Sequence, residues 1–405
     1  MKILCFRTDL SVTPRHVDGV EFIIMDQNPD FVFNGEHVGI FCLTGGTEGA
    51  LREFYTKNES EFMHRRMLLV FSGSDNSLAA TIEVNAYLEQ KGVNVKIISH
   101  DDITDHLNSD IGNSMKVANR LHGTNFLLIG NPSQWLIASG ATTLQDKLIK
   151  DKFGTNIIKI DLDELLELYN ITAADKTEEA AVKFQELNGF EPTEQNIPFL
   201  RLHTAIENLC ETHNAEMMSI CCFDMIKRID PSITACLSLS LLNKHMTAGC
   251  EGDIQATLSM HIARLVSDMP CFMANPQSVD EESRSLDFAH CTIAPEIPDY
   301  AELDTHFETK LNYAVKGYFC PGRKVTIFRL GGMNLERYYL EEGVTIDAGG
   351  FRENRCRTQM SVTLYNDTSV DGIFKCPGNH VIIVPDHCAN DIRAFCTLYG
   401  MQQVN

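Results

Sequence analysis

The chain has 405 residues, 44% hydrophobic and 22% charged, an ordinary composition for a folded protein with room for two or three domains. Its 34 basic and 55 acidic residues leave a net charge of −21, which argues against a nucleic-acid partner because no basic face is visible to meet phosphate. No apolar run approaches the roughly 18 residues of a membrane span, and the opening Met1-Lys2-Ile3-Leu4-Cys5-Phe6-Arg7-Thr8-Asp9 turns polar too soon for a secretory signal.

A cytoplasmic protein with no membrane partner is therefore expected. The 14 cysteines include no C-x-x-C pair and lie mostly in apolar contexts, so buried reduced thiols are expected.

Over the first 160 or so residues, short apolar runs alternate with helical patterns. Val38–Leu43, Met67–Phe71, Val93–Ser99, Asn125–Ile129 and Ile157–Ile160 read as strands, and Leu78–Lys91 reads as a helix stopped by Gly92. Such alternation implies βαβ units and a parallel sheet covered on both faces.

Three strand-to-helix loops are distinctive: Thr44-Gly45-Gly46-Thr47-Glu48-Gly49, Ser72-Gly73-Ser74-Asp75-Asn76-Ser77 and Gly130-Asn131-Pro132-Ser133-Gln134-Trp135. Loops of this kind face the ligand crevice of an open sheet, and a helix N-terminus favours an anionic group. None is a nucleotide fingerprint, and tight turns with Ser or Asp caps would read the same way.

The acidic stretch from Asp161 to Gln195 carries two helical patterns. Ile197–His213 follows as a helix, Met217–Phe223 as a strand ending at Asp224, and Asp253–Val266 as a helix with Ile254, Leu258, Ile262 and Leu265 at helical spacing. From about Pro270 short strands and turns dominate: Ser285–His290, Lys324–Leu330, Ser361–Tyr365 and Val381–Val384, closed by a helix over Ala389–Tyr399. The pattern implies two Rossmann-like, doubly wound α/β domains (1–165 and 166–270) and a β-rich, barrel-like C-terminal domain (271–405).

Three signals in the second half bear chemistry: Gly249-Cys250-Glu251-Gly252-Asp253, Phe288-Ala289-His290-Cys291 and Gly378-Asn379-His380. Each lies at the edge of an apolar run, and together Glu251, His290 and His380 would make a mixed oxygen/nitrogen site for a divalent metal. Glu251 also suits proton transfer. Asp253 fits a helix N-cap as well as a catalytic acid, and a lone histidine in an apolar strand is often a satisfied core residue. Arg357, within Arg355-Cys356-Arg357-Thr358-Gln359, could hold an acidic partner or a substrate oxygen. Asp224 could meet substrate or cap a helix.

These residues, with Thr44-Gly45-Gly46-Thr47-Glu48, Asn76-Ser77-Leu78-Ala79-Ala80, Pro132-Ser133-Gln134-Trp135-Leu136-Ile137-Ala138-Ser139, Ala289-His290-Cys291-Thr292, Cys356-Arg357-Thr358-Gln359 and Asn379-His380, stand in an order and spacing that resembles the L-fucose/L-arabinose isomerase superfamily. Within it, the chain is most similar to the shorter fucose isomerase-like proteins.

The resemblance implies two α/β domains and a barrel, a trimer or hexamer with sites between subunits, and an aldose–ketose isomerase working through an enediol with Mn²⁺ or another divalent metal. It places metal ligands on Glu251, His290 and His380, and a second acidic ligand near Phe272-Met273-Ala274-Asn275. There this chain has Asn275, which offers a carbonyl oxygen but no charge, so Asp253, Asp280 or another acid must compensate or the chemistry differs. Glu251 and Asp253 are the catalytic candidates, and Ser133, Trp135, Asp224 and Arg357 the substrate-binding ones. The alternatives are a sugar-binding or accessory protein without turnover, and an epimerase or lyase for an anionic sugar.

Overall fold

A computed structural model of the chain describes all residues except 33–37, 64–65, 94, 139–144, 189–193, 229–233, 311–312, 366–368 and 405. The chain divides into two units, Met1–Thr124 with Asp146–Thr155, and Asn125–Gln145 with Asn156–Asn405.

The first unit holds a five-stranded parallel sheet of β1 (Lys2–Phe6), β2 (Glu21–Ile24), β3 (Val38–Cys42), β4 (Met67–Phe71) and β5 (Val95–Ser99), in the order β2-β1-β3-β4-β5. Every residue of β3 is buried, as its unbroken apolar run predicts for a central parallel strand. The helices Glu48–Lys57 and Ser77–Gln90 supply Leu51, Phe54, Ala80, Val84 and Leu88 to a core shared with Leu4, Ile40 and Leu69. Two glycine-bearing loops brace one another here. Gly45 N–H donates to the Asp75 carbonyl at 2.7 Å, and a Cβ on Gly45 would come within 2.8 Å of Asn76 Cβ. Neither Thr47 nor Asn76, at the N-caps of these two helices, makes a side-chain cap.

The second unit opens with a four-stranded parallel sheet of β6 (Asn125–Ile129), β7 (Asn156–Ile160), β8 (Ala215–Ile220) and β9 (Thr247–Gly249), in the order β7-β6-β8-β9. Strands on either side of residue 165 thus share one sheet, whereas the sequence pattern placed a domain boundary there.

The strand expected over Met217–Phe223 is shorter. Cys222–Arg228 turns helical, which puts Asp224 on a helix rather than at a strand end.

The rest is β10 (Phe272–Asp280), β11 (Ser285–His290), β12 (Tyr300–Asp304), β13 (Ala314–Tyr318), β14 (Lys324–Gly331), β15 (Arg337–Ile346), β16 (Thr358–Leu364), β17 (Val381–Pro385) and β18 (Gln402–Gln403). Six of these close into an antiparallel barrel, β14-β17-β10-β11-β16-β15, sealed by the β14–β15 pairing. Closure removes the edges that an open sheet would expose. β12 and β13 form a separate hairpin, and β18 adds to β15 in parallel.

The helix Ile254–Ser267 joins these layers. It packs against β8 and β9 of the parallel sheet and against β14 and β17 of the barrel. Nearly all its residues are buried, as a helix enclosed on every side requires. Its hydroxyls are satisfied locally: Ser259 Oγ donates to the Gln255 carbonyl at 2.6 Å and accepts from the Leu330 N–H at 3.0 Å. Gly249 has no room for a side chain where Thr257 of this helix crosses it. Among the described residues no helix is long and apolar enough to cross a membrane.

Candidate metal centre

Glu251 follows β9, and the loop 130–136 follows β6, so both leave C-terminal strand ends of the same parallel sheet. That is the end where such sheets bind ligands. His290 ends β11 and His380 precedes β17, strands separated in the barrel only by β10. The three side chains converge. One ligand atom from each of Glu251, His290 and His380 lies within 4.8 Å of the others. The two imidazole rings meet edge to face at 5.4 Å, and His380 Nε2 is 3.8 Å from Glu251 Oε1.

Asp253 is fully buried and engaged through both oxygens. Oδ1 accepts from the Ala256 N–H at 2.9 Å, capping the helix, and lies 3.3 Å from Arg329 Nη2, while Oδ2 lies 2.9 Å from His380 Nδ1. Burial pushes its carboxyl up, but Arg329 and the His380 bond outweigh that and hold it well below the usual carboxylate range.

A carboxylate can only accept, so the His380 proton sits on Nδ1. Nε2 is buried without a hydrogen-bond partner. An orphaned imidazole nitrogen facing a carboxylate, its ring steered by a second carboxylate, is the arrangement of a histidine metal ligand. His290 is steered similarly, its Nδ1 lying 3.1 Å from Thr292 Oγ1. Burial, with the adjacent His380 ring, pulls His290 down to about 4, so it is neutral and able to ligate at physiological pH.

The donor set fits a divalent ion of the first transition row. Two ligands each about 2.1 Å from one ion lie at most about 4.2 Å apart, so a small contraction of the cluster suffices.

The other expected residues fall as follows. Asn275 pairs in register with Ala289, and its Oδ1 accepts from Asn379 Nδ2 at 3.1 Å. Ser133 is buried, its Oγ has no hydrogen-bond partner, and its N–H donates to the Glu251 carbonyl at 2.9 Å. Trp135 Nε1–H donates to Glu251 Oε2 at 2.5 Å.

Arg357 adjoins Thr358, which pairs with His290. Its Nε and Nη2 donate to Thr305 at 2.9 and 2.8 Å, and Asp304 lies 3.7 Å away, while Nη1 makes no hydrogen bond. Asp224 is spent on Lys227 at 3.5 Å and accepts from the Cys221 thiol at 3.3 Å; its neighbour Phe223 is the residue that packs on Trp135. Ser139 lies outside the described residues.

Arg329 is the participant that sequence reasoning missed. A cation inside the apolar strand Val325-Thr326-Ile327-Phe328-Arg329-Leu330 was the available signal, since a buried arginine requires a partner. No disulfide forms among the described residues, and the Cys222 and Cys250 Sγ atoms lie 3.3 Å apart.

Fold and site together define the class: an α/β chain with a six-stranded barrel and a candidate divalent-metal centre of one carboxylate and two imidazoles. Over 229 residues the chain is 25% identical to a sulfoquinovose isomerase from Clostridium sp. (strain MSTE9), a match covering 53% of this chain and 49% of that protein. The chain thus spans about half the length of the curated relative it matches. No model of a known protein family matches it.

Proposed function

We propose that the protein is a metal-dependent aldose–ketose isomerase acting on a monosaccharide through an enediol. The observation carrying this reading is the buried, partnerless Nε2 of His380, aimed at Glu251 beside His290.

Glu251, His290 and His380 would hold the ion, with Mn²⁺ the favoured occupant and the Asn275 carboxamide a further oxygen donor. When bound, the ion polarises the sugar carbonyl and acidifies the neighbouring C–H. Asp253, buried behind His380, acts by fixing its tautomer rather than by touching substrate. Glu251 is also the carboxylate we assign to moving the proton between the two carbons, through the Oε2 lone pair that the Trp135 bond does not occupy. Ser133 Oγ and Arg357 Nη1, both buried donors lacking a hydrogen-bond partner, suit sugar oxygens. Sulfoquinovose is the first substrate to try, given the relative's name, and a homotrimer or homohexamer is the expected assembly.

Deuterium uptake at C2 tests the reaction. The Mn²⁺-loaded protein in deuterated water should label sulfoquinovose or a neutral aldose such as fucose, and the labelled sugar names the substrate class. Asn275, at a place where an acid is expected, favours a second reading: sugar binding without turnover. Sugar binding with no label would establish that reading and refute the isomerase.

A further inference from the structure

Trp135 is the chain's only tryptophan. Its indole nitrogen is a donor with no acceptor capacity, and it is committed to Glu251 Oε2 at 2.5 Å. Two residues earlier in the same loop, the Ser133 N–H grips the Glu251 backbone carbonyl at 2.9 Å. The loop therefore clamps one glutamate at both main chain and side chain.

The clamped residue is under strain. Glu251 has φ 61°, in the left-handed region, and Gly252 follows at φ 70°. A non-glycine residue persists there only where its surroundings over-determine it. The clamp supplies that constraint. The indole is itself held, with its ring meeting Phe223 edge-on at 4.9 Å.

The bond has a directional consequence. The indole N–H occupies one lone pair of Oε2 and fixes the rotation of the carboxylate. The other oxygen, Oε1, is the one that faces His380 Nε2 at 3.8 Å.

From this geometry we propose that Trp135 is a positioning residue: it fixes Glu251 as a one-oxygen metal ligand and keeps Oε2 out of the coordination sphere. The inference rests on the reading of this cluster as a metal centre. A two-oxygen carboxylate would fill an additional coordination position, which a single-oxygen ligand leaves open for a sugar oxygen. The role differs from the substrate contact expected for Trp135 from sequence, because its polar atom is spent on the protein.

Mn²⁺ titration followed by electron paramagnetic resonance of the unbound ion tests this, with wild type, Trp135→Phe and Trp135→Ala compared. Phenylalanine retains a ring for Phe223 but has no donor. Both variants are expected to bind Mn²⁺ roughly tenfold or more weakly, the usual range for losing a residue that orients a ligand. The Phe variant should fold with a lowered Tm, and its Co²⁺ complex should show a shifted visible spectrum. Wild-type Mn²⁺ affinity with an unchanged Co²⁺ spectrum in Trp135→Phe overturns the inference and leaves the metal centre standing. Wild-type protein that binds no Mn²⁺ overturns the metal centre itself.

Should Trp135→Phe fail to fold, the ultraviolet resonance Raman band of the single indole decides. A strongly hydrogen-bonded N–H that weakens in Glu251→Gln supports the clamp, and an unbonded N–H in wild type refutes it.

Discussion

His380 Nδ1 lies 2.9 Å from Asp253 Oδ2, and both side chains are wholly buried. That contact holds a proton on Nδ1 and leaves Nε2 as the nitrogen that faces Glu251, and the other Asp253 oxygen shares the buried Arg329 charge. In Asp253→Asn the guanidinium would lose its counter-charge. Stability should fall by about 3–5 kcal/mol, the range for breaking a buried pair, and Mn²⁺ affinity should fall by roughly 10–100-fold. Urea unfolding and metal titration check the two effects, and wild-type values for both would refute the network.

Glu251→Gln and His380→Ala each remove a ligand from a set of three. Neither variant should retain stoichiometric metal, and metal-dependent turnover should be abolished. Elemental analysis after gel filtration reads the first effect and an isomer-ratio assay the second. Full metal occupancy in either variant would rule out the assigned ligands.

Gly252 has φ 70°, and a Cβ there would stand 2.8 Å from the Pro132 Cα, a backbone atom with little room to yield. Gly349, with φ 67° and nothing within 4 Å, provides a control. Gly349→Ala should cost only the left-handed conformation, about 1 kcal/mol, and Gly252→Ala about 2–3 kcal/mol. Only the second should weaken metal binding, because it pushes the loop off Glu251. Thermal unfolding and Mn²⁺ titration of both variants make the comparison.

Ser133→Ala and Arg357→Lys probe the two unsatisfied donors. Removing a buried hydroxyl that has no partner should leave stability within about 0.5 kcal/mol of wild type or slightly raise it. A KM increase of about fivefold or more, with Tm unchanged, would mark Ser133 as a substrate contact. Lysine cannot reproduce the forked geometry of Arg357, so KM should rise more for an anionic sugar than for a neutral one. Equal KM values for wild type and both variants would remove these residues from the substrate site.

Asp287 supplies the pH test. Burial raises its carboxyl, but hydrogen bonds from Ser278 and Ser361, each 2.5 Å, and from Arg355 at 2.8 Å more than offset this and lower it. With its folded pKa below its unfolded value of about 3.9, the unfolded state binds more protons in the window between them. The stability from this network is therefore complete well above pH ~4 and is lost as pH falls toward the folded pKa. Asp287→Asn should cost about 1 kcal/mol at pH 7, allowing for solvent screening of a partly exposed group. The gap to wild type should narrow in acid, and a gap independent of pH would contradict the assignment.

The alternation of apolar runs with helical patterns was enough to find β3, β4, β6, β7 and the helix Ile254–Ser267, because each buries a continuous stripe or a whole strand. β1 and β15 carried weaker signals. β1 opens on the charged Lys2 and has only five residues, and β15 interrupts its apolar residues with Glu341, Glu342 and Gly343. β10 contains Pro276, which argues against a strand on local grounds, and its ladder with β11 shifts register between Pro276 and Ser278 to admit it. The strand expected to end at Asp224 stops at Ile220 because the chain coils into a helix at Cys222.

The candidate metal ligands were legible as residue types at the edges of apolar runs, and Asp253 as a cap before a helical stripe. Whether they met was not. Sequence by itself determined the secondary-structure alphabet, the acidic balance and the set of polar groups with nowhere apolar to hide. Tertiary structure alone decided that Glu251 faces His380, that Asp253 holds the far nitrogen of that ring, that Arg329 balances Asp253, and that the single indole binds Glu251. The Asp253–Arg329, Trp135–Glu251 and Asp253–His380 pairs lie 76, 116 and 127 residues apart in the chain. Local propensity acts over a few residues, whereas barrel closure and sheet order set the distances between such remote side chains.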